Sequence, residues 1–286
     1  MTAVLTTTTT HVPTITPVDV RPRSGFGAYW RDTLVFTGRQ IAHIRQIPEK
    51  LLDVTLQPLM FVLLFSYVFS GAMTIGGDYR EYLVGGILIQ SLAFGLIGPA
   101  TAMATDIGEG VVDRFRTLPT PRGAYLSGQF LAELAGMVLS IIVVLGTGLI
   151  VGWRPHDFGP SLLASLLILM FASVMVWIGI FLGLKVRTPD AVMGVGFVVV
   201  FPLTFLSNAF VPVDSLPTAL QTIAEWNPVS VLVAAVRELF GNPVPVIDDP
   251  SWPLQHAVPL AFLMCVALLA AIVPLALRAY RIRTRD

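Results

Sequence analysis

The chain has 286 residues, of which 55% are hydrophobic and 13% are charged, and its mean hydropathy is +0.76. Because a typical soluble domain carries about a quarter charged residues, this composition excludes an ordinary soluble protein and indicates an integral membrane protein. The 18 basic and 18 acidic residues balance to zero net charge, so no basic excess points to a nucleic-acid partner.

Residues 1–24 form a segment rich in Thr, Pro and Val, without an apolar run or a helical period. Such a segment cannot bury enough apolar surface to fold, so we predict a disordered tail over residues 1–25. It lacks the apolar core and cleavage site of a secretory signal peptide, which favours a cytoplasmic tail. The remaining residues, 26–286, are predicted to form a single transmembrane domain.

An amphipathic helix is predicted from Phe26 to Ile47, where Pro48 ends the pattern. Its apolar face consists of Phe26, Trp30, Leu34, Ile41 and Ile44, and its polar face consists of Arg31, Arg39, His43 and Gln46. One interpretation is an interfacial helix along the membrane, with Trp30 at the interface and basic residues toward anionic headgroups. The basic candidates are Arg31, Arg39 and Arg45. The other interpretation packs this helix on the transmembrane segments, and the sequence favours neither.

Six apolar runs follow, each long enough at about 1.5 Å per residue to cross a hydrocarbon core of roughly 30 Å. We therefore predict an all-α membrane protein with six transmembrane helices. The predicted spans are 54–73, 83–105, 130–151, 161–184, 191–213 and 258–277. Only the third contains a charge, Glu133. Its role stays open between contact with a cationic cargo and pairing near the end of its helix.

Basic residues predict the orientation of these spans, because cytoplasmic connections carry an excess of Lys and Arg. With a cytoplasmic N-terminus, fifteen basic residues lie inside, and three, Arg80, Arg154 and Arg237, lie outside. Both termini are therefore predicted to be cytoplasmic in a multi-pass protein of the cell membrane. The polar stretch between the second and third spans then faces the cytoplasm.

That polar stretch runs from Asp106 to Gln129 and contains a second amphipathic pattern. Val111, Phe115 and Leu118 share one helical face, and prolines follow. Acidic residues come first and basic residues last, which suits the partial charges at the two ends of a helix. We predict a short cytoplasmic helix at the membrane edge.

The last outer connection, residues 212–257, is long and partly apolar. Two short helical patterns lie in it, at 217–226 and 229–240, separated by Asn227-Pro228. Neither is long enough to span a bilayer. We predict short re-entrant helices in the outer leaflet, with an extracellular cap lying on the spans as the alternative.

The sequence contains no HExxH, CxxC, Gly-x-Ser-x-Gly or Walker A motif. The four histidines fall in separate predicted regions, which argues against a metal site, and the lone Cys265 lies in an apolar run. We therefore predict that the chain is not an enzyme and binds no metal or cofactor. Any ATP must be used by another chain.

Polar and aromatic residues inside the predicted spans are candidates for a translocation path, because such residues usually face protein or water rather than lipid. Packing between helices explains each of them equally well. The candidates are Gln57, Phe61, Phe65, Gln90, Phe94 and Asn208.

Three passages resemble the membrane subunits of type-2 ABC exporters, and within them the daunorubicin-resistance (DrrB-like) permeases. They are RQIAHIRQIPEKLLDVTLQPLMFVLLFSYVF at 39–69, GEGVVDRFRTLPTPRGAYLSGQ at 108–129, and WNPVSVLVAAVRELFGN at 226–242. The second passage looks the most specific. With the six predicted spans, the similarity covers nearly everything after the tail.

This resemblance implies two permeases, identical or related, that pair with two cytoplasmic ATPase subunits holding ATP and Mg. The interfacial helix and a helix over 108–118 would touch the ATPases. The implied coupling residues are Glu109, Asp113, Arg114, Phe115 and Arg116.

The resemblance further implies that the chain is a permease in a bacterial cell membrane, working as a homodimer among membrane lipids. It would export a hydrophobic or amphiphilic drug, such as an anthracycline or polyketide, or a lipid. Two alternatives are a lipid-linked polysaccharide exporter of the same fold and a membrane sensor or anchor that transports nothing.

Overall fold

The computed structural model of the chain describes residues 25–46, 48–68, 79–116, 123–186, 188–213, 216–242 and 251–283. These residues are largely helical and contain no β-strand, which confirms the predicted all-α class. The predicted tail, apart from residue 25, lies outside them. In chain order the helices are α1 (Phe26–Gln46), α2 (Pro48–Val68), α3 (Tyr79–Phe94), α4 (Ile97–Gly108), α5 (Val111–Arg116), α6 (Ala124–Val151), α7 (Phe158–Lys185), α8 (Pro189–Phe205), α9 (Thr218–Glu225), α10 (Pro228–Phe240), α11 (Trp252–Gln255) and α12 (Ala257–Arg283).

Four helical segments among the described residues are long and apolar enough to cross a membrane. α3 and α4 together form one of them, Tyr79–Gly108, and α6, α7 and α12 are the others. α9 and α10 are bent by 69° at their break, and counting this pair as one broken span gives five. Length and composition thus support four or five spans, and the number six stays a prediction.

The two remaining predicted spans correspond to shorter helices. The apolar part of α2 covers Thr55–Val68, and the end of the predicted span 54–73 lies outside the described residues. Within the predicted span 191–213, α8 covers residues up to Phe205, and residues 206–213 are not α-helical. The side-chain amide of Asn227 donates to the carbonyls of Leu203 and Leu206, both at 2.7 Å. Asn227, the N-cap residue of α10, therefore binds the carbonyls at the C-terminal end of α8.

The bundle has two chemically different ends. α4, α7 and α12 finish at one end, where the Arg283 guanidinium donates to the Leu184 carbonyl at 2.7 Å. We call this the basic end, and its described basic residues are Arg31, Arg39, Arg114, Lys185, Arg278, Arg281 and Arg283. Arg80, Arg154 and Arg237 lie at the opposite end. The structure thus separates the same three basic residues that the sequence assigns to the outside.

The span formed by α3 and α4 breaks at Gly95 and Leu96. Pro99 lies four residues after Gly95, and a proline at that position removes a hydrogen bond to the Gly95 carbonyl and crowds it. The break therefore has the usual cause of a sharp kink.

α4 and α7 touch through their backbones at two glycines of α7. A Cβ atom added to Gly179 would lie 2.4 Å from the Leu96 carbonyl oxygen, and one added to Gly183 would lie 2.3 Å from that of Ala100. Small residues allow this close approach between membrane helices. The crossing fixes the position of α4, which leads directly into the cytoplasmic helix predicted from the sequence.

Candidate functional site

The predicted cytoplasmic helix begins later than the sequence suggests and is separated from α4 by a turn. α4 runs to Gly108, and Gly110 then adopts a left-handed conformation with φ of +67°, which glycine adopts readily. α5 covers only Val111–Arg116. The prediction of one helix over 108–118 is therefore wrong at its start, because Gly108 ends α4 and the chain turns at Gly110 before α5 begins. The end of the predicted helix, residues 117–118, lies outside the described residues.

Val112 anchors α5 on the bundle, with 4% of its surface exposed. Glu109 and Arg114, two of the predicted coupling residues, are exposed at the surface. The other three predicted contacts lie on α5, but their side chains are outside the described part of the chain; they are Asp113, Phe115 and Arg116. The role of all five stays a prediction.

α1 packs along the first turns of α6. A Cβ atom added to Gly128 would lie 2.5 Å from the Phe36 Cβ and 3.1 Å from the Thr33 carbonyl oxygen. The hydroxyls of Tyr29 and Ser127 share a hydrogen bond of 2.5 Å. The structure therefore supports the interpretation in which this helix packs on the transmembrane segments.

A different face of α1 points away from the bundle. Its apolar residues are exposed: Phe26, Trp30, Leu34 and Ile41. Arg31 and Arg39 are exposed as well, and the side chain of Arg45 lies outside the described residues. An exposed apolar face beside basic residues suits a membrane interface. Packing on the bundle uses a different face of α1, and the interfacial role of the exposed face stays a prediction.

A Gly128→Ala change should loosen α1 from α6, because its new methyl group would collide with Phe36. Overpacking of this kind costs about 1–3 kcal/mol. Trypsin should then cleave after Arg39 faster than in the original chain when native membranes are digested. Gly136→Ala is the matched control, since nothing lies within 4 Å of a Cβ at that α6 position. Equal cleavage rates in both variants would contradict the close packing of α1.

Asp106 is the centre of a polar network that joins three helices at the basic end. Its Oδ2 accepts a hydrogen bond from the Tyr125 hydroxyl of α6 at 2.5 Å and one from the Gln40 amide of α1 at 3.2 Å. The Gln40 amide also donates to the Gln129 Oε1 at 2.5 Å. Because Asp106 lies two residues before the end of α4, the network ties the base of the α4–α5 turn to α1 and α6.

Glu133 continues the same network along α6. Its Oε1 accepts a hydrogen bond from the Gln129 amide at 3.0 Å. Hydrogen bonds to a charged group are worth more than neutral ones, about 1.5–3 kcal/mol each. The Glu133 side chain is half-buried and bonded to its neighbour on the helix. This position favours pairing near the end of its helix over contact with a cationic cargo.

The six candidate path residues do not share one environment. Gln57 is exposed, whereas Gln90 and Asn208 are buried within the protein. Phe61 and Phe65 stack with ring centres 5.8 Å apart.

Ring contacts extend from these candidates to other aromatic residues. Phe65 stacks on Phe210 at 4.8 Å, and Phe94 contacts Phe197 at 5.6 Å. Aromatic packing thus accounts for all three candidate phenylalanines, and their role in a path stays a prediction.

Sequence reasoning missed the partners of Asp106. It gave Asp106 only as the start of the polar stretch and gave no role to Gln40 or Tyr125. A partial signal was available, since Asp106 and Gln129 directly flank the predicted spans 83–105 and 130–151. Nothing in local spacing shows that these two residues meet Gln40, because the three lie on different helices.

The comparisons with known proteins agree with this architecture. Residues 31–240 match the ABC-2 type transporter family. The chain is 31% identical to the daunorubicin resistance ABC transporter permease protein DrrB1 of Streptomyces coeruleorubidus, over 97% of this chain and 98% of that protein. It is 28% identical to the probable doxorubicin resistance ABC transporter permease protein DrrC of Mycobacterium tuberculosis, over 80% of this chain and 86% of that protein.

A third relative is the putative transport permease ycf38 of Cyanophora paradoxa, 26% identical over 74% of this chain and 75% of that protein. These relatives are all named as permeases, and the family match covers most of the helical bundle, from α1 to the end of α10. The chain therefore belongs to the ABC-2 type transporter family.

Proposed function

We propose that this chain is the membrane-spanning permease subunit of an ATP-driven exporter for a hydrophobic or amphiphilic drug of the anthracycline or polyketide kind. The observation that carries the proposal is the similarity to the daunorubicin resistance permease, which extends over 97% of the chain. The exposed α4–α5 turn at the basic end supports it, because a permease without a nucleotide site needs a surface on which an ATPase can act.

In the proposed topology, α2 and α8 also cross the membrane, which makes six spans, and both termini are cytoplasmic. The separation of Arg80, Arg154 and Arg237 from the other described basic residues supports this orientation. α9 and α10 then re-enter the outer leaflet, and the 69° bend between them supports that assignment. α1 lies at the inner membrane surface in contact with lipid.

The proposed assembly contains two copies of this permease and two cytoplasmic ATPase subunits. ATP and Mg belong to the ATPases, and this chain carries out no hydrolysis itself. Closure of the ATPase pair moves α5, and Gly110 provides the turn between α5 and α4. The Asp106 network then transmits the displacement of α4 to α1 and α6.

Two charge changes on α5 test the coupling proposal. Phe115→Asp removes the central apolar contact predicted for the ATPase, and Arg114→Glu reverses an exposed charge. We expect both variants to insert normally and to lose export by about tenfold or more, since interface anchors often contribute about 2 kcal/mol or more. ATP hydrolysis by the complex should continue without matching export.

Arg278→Glu is the control, because Arg278 is an exposed arginine at the same end that lies on α12 instead of α5. Export at the original rate in both α5 variants would count heavily against the coupling assignment.

The cargo is tested by the ATPase activity of the purified complex across a panel of anthracyclines, other polyketides and lipids. Stimulation by planar aromatic drugs supports the drug exporter, and stimulation by lipid-linked sugars alone supports the polysaccharide alternative. A folded complex that responds to no compound supports the sensor or anchor alternative.

A further inference from the structure

Arg237 is buried at the opposite end of the bundle, although the sequence places it in an outer connection. Only 1% of its surface is exposed. Its guanidinium donates three hydrogen bonds to backbone carbonyls: from Nε to Tyr82 at 2.7 Å, and from its two terminal nitrogens to Asn208 and Ala209, each at 2.9 Å. The guanidinium carbon also lies 3.4 Å from the centre of the Tyr82 ring.

These acceptors belong to two separate parts of the chain. Tyr82 lies in the first turn of α3, whereas Asn208 and Ala209 follow α8, where the chain is no longer helical. Carbonyls outside a helix need other donors when they are buried. Arg237 of α10 donates to both carbonyls, and the Tyr82 hydroxyl also donates to that of Asn208, at 2.7 Å. One side chain therefore joins three segments of the bundle.

The surface of α3 is shaped for this arrangement by a pair of glycines. A Cβ atom added to Gly86 would lie 1.9 Å from the Ala209 carbonyl oxygen, and one added to Gly85 would lie 3.2 Å from the Arg237 Cγ. The chain after α8 therefore rests directly on the α3 backbone. Any larger side chain at Gly86 would displace it.

Two further residues of α10 and its N-cap hold the same segment. The Ser230 hydroxyl accepts a hydrogen bond from the Asn208 backbone N–H at 3.1 Å. Asn227 donates to the last carbonyls of α8, as described above. The passage 226–242 that resembles the exporter family thus contains three side chains that bind the end of α8.

The attraction at Arg237 does not come from a salt bridge. Among the described residues, no carboxylate forms an ion pair with it. Its partners are carbonyl dipoles and an aromatic face, and a planar guanidinium can bind both at once, whereas a lysine ammonium is a single point charge. This arrangement therefore requires the planar shape of the arginine side chain as well as its positive charge.

α3 is also the far end of the span that leads through α4 to α5. We propose that Asn227, Ser230 and Arg237 form a clamp that makes α3, the end of α8 and α10 move together, so that displacement of α5 reaches the opposite end of the bundle. The transmission part of this inference rests on the proposed function. The clamp itself is a property of the chain alone.

A distance measurement tests the clamp without cargo or ATPase. Spin labels are attached to Glu81→Cys in α3 and Leu203→Cys in α8, with the native Cys265 changed to Ala, and the full chain is placed in lipid vesicles. We expect a single narrow distance distribution. Arg237→Met should broaden it, because the Ala209 carbonyl loses the donor from Arg237 and the Asn208 carbonyl keeps only the Tyr82 hydroxyl.

Export is measured in the same variants within the full complex. Arg237→Met should lose export by about tenfold or more, since removing one partner of a buried charged hydrogen-bond set is strongly destabilising. ATP hydrolysis should stay within about twofold, because the change lies at the far end from α5. Export by Arg237→Lys should lie between that of the original chain and that of Arg237→Met.

Arg154→Met is the matched control, because Arg154 is an exposed arginine at the same end that donates only to the carbonyls of Leu149 and Trp153. A narrow distribution and normal export in Arg237→Met would overturn the proposal. If that variant does not insert, Ser230→Ala decides, because it removes only the hydrogen bond from Asn208. An unchanged distribution there overturns the clamp.

The two proposals fail in different ways. Broadening in Arg237→Met together with no export of any drug by the original complex would leave the clamp standing and reject the proposed function. Broadening with unchanged export would overturn the transmission that we propose.

Discussion

A Gly183→Val change should prevent the stable assembly of this bundle. The new Cβ atom would lie 2.3 Å from the Ala100 carbonyl oxygen and 2.8 Å from the Met103 Cβ. Backbone and Cβ atoms cannot rotate away, so α4 and α7 must separate. Overpacking costs about 1–3 kcal/mol and occasionally more, which is a large share of a typical stability of about 5–15 kcal/mol. Gly179→Val should act in the same way, because its Cβ would lie 2.4 Å from the Leu96 carbonyl oxygen.

The measurement is the yield of monodisperse protein after detergent extraction, together with its melting temperature. Gly146→Val in α6 is the matched control, because nothing lies within 4 Å of a Cβ at that position. Like Gly183→Val, the Gly146→Val variant replaces a helical glycine by a β-branched side chain. Similar yields for Gly183→Val and Gly146→Val would show that α4 and α7 are not in backbone contact.

Asp106→Ala should uncouple ATP hydrolysis from export while leaving the protein folded. It removes two hydrogen bonds to a carboxylate, from Tyr125 at 2.5 Å and from Gln40 at 3.2 Å. A hydrogen bond to a charged group contributes about 1.5–3 kcal/mol. Losing such bonds weakens the attachment of α4 to α1 and α6, and we expect export per ATP hydrolysed to fall by about tenfold or more. Asp106→Asn should have a smaller effect, since it retains an acceptor oxygen.

Two readouts check this expectation independently. Export per ATP hydrolysed should fall in the complex, and backbone amides of α1 should exchange with deuterium faster in the chain alone. Asp157→Ala is the control, because Asp157 is an exposed acid at the opposite end whose side chain does not cap α7. Unchanged exchange in Asp106→Ala would remove the physical basis for the network, whatever happens to export.

Much of the architecture follows from local sequence patterns, which can be recognised without knowing the tertiary structure. Apolar runs located α6, α7, α12 and the α3–α4 span, because about 20 apolar residues are needed to cross a bilayer wherever they occur. The two helical patterns after 212 also appear as α9 and α10. The break between them follows from Asn227-Pro228, since Asn caps the next helix and Pro is favoured in its first turn.

The candidate site was predicted in location but not in detail. The sequence placed an amphipathic element between the second and third spans, and α5 lies there, directly after α4. Its start was predicted too early, because the amphipathic period continues through Gly110 although the chain turns at that residue. Amphipathic periodicity reports which residues could share a face, and it does not report where the backbone changes direction.

By itself, the sequence determined the class of the protein, most of its membrane segments and the division of basic residues between two ends. These properties depend on composition and on spacing within one helix. Only the tertiary structure decided that α8 stops at Phe205, that Asp106 joins α1 to α6, and that Arg237 is buried against α3.

The physical reason is the distance along the chain between the interacting groups. Gln40 and Asp106 are 66 residues apart, and Arg237 and Tyr82 are 155 residues apart. A buried polar group must find a partner, but its own neighbours in sequence do not reveal which one. The partner is fixed only when the helices have packed, and glycines such as Gly86 and Gly128 decide how closely they do so.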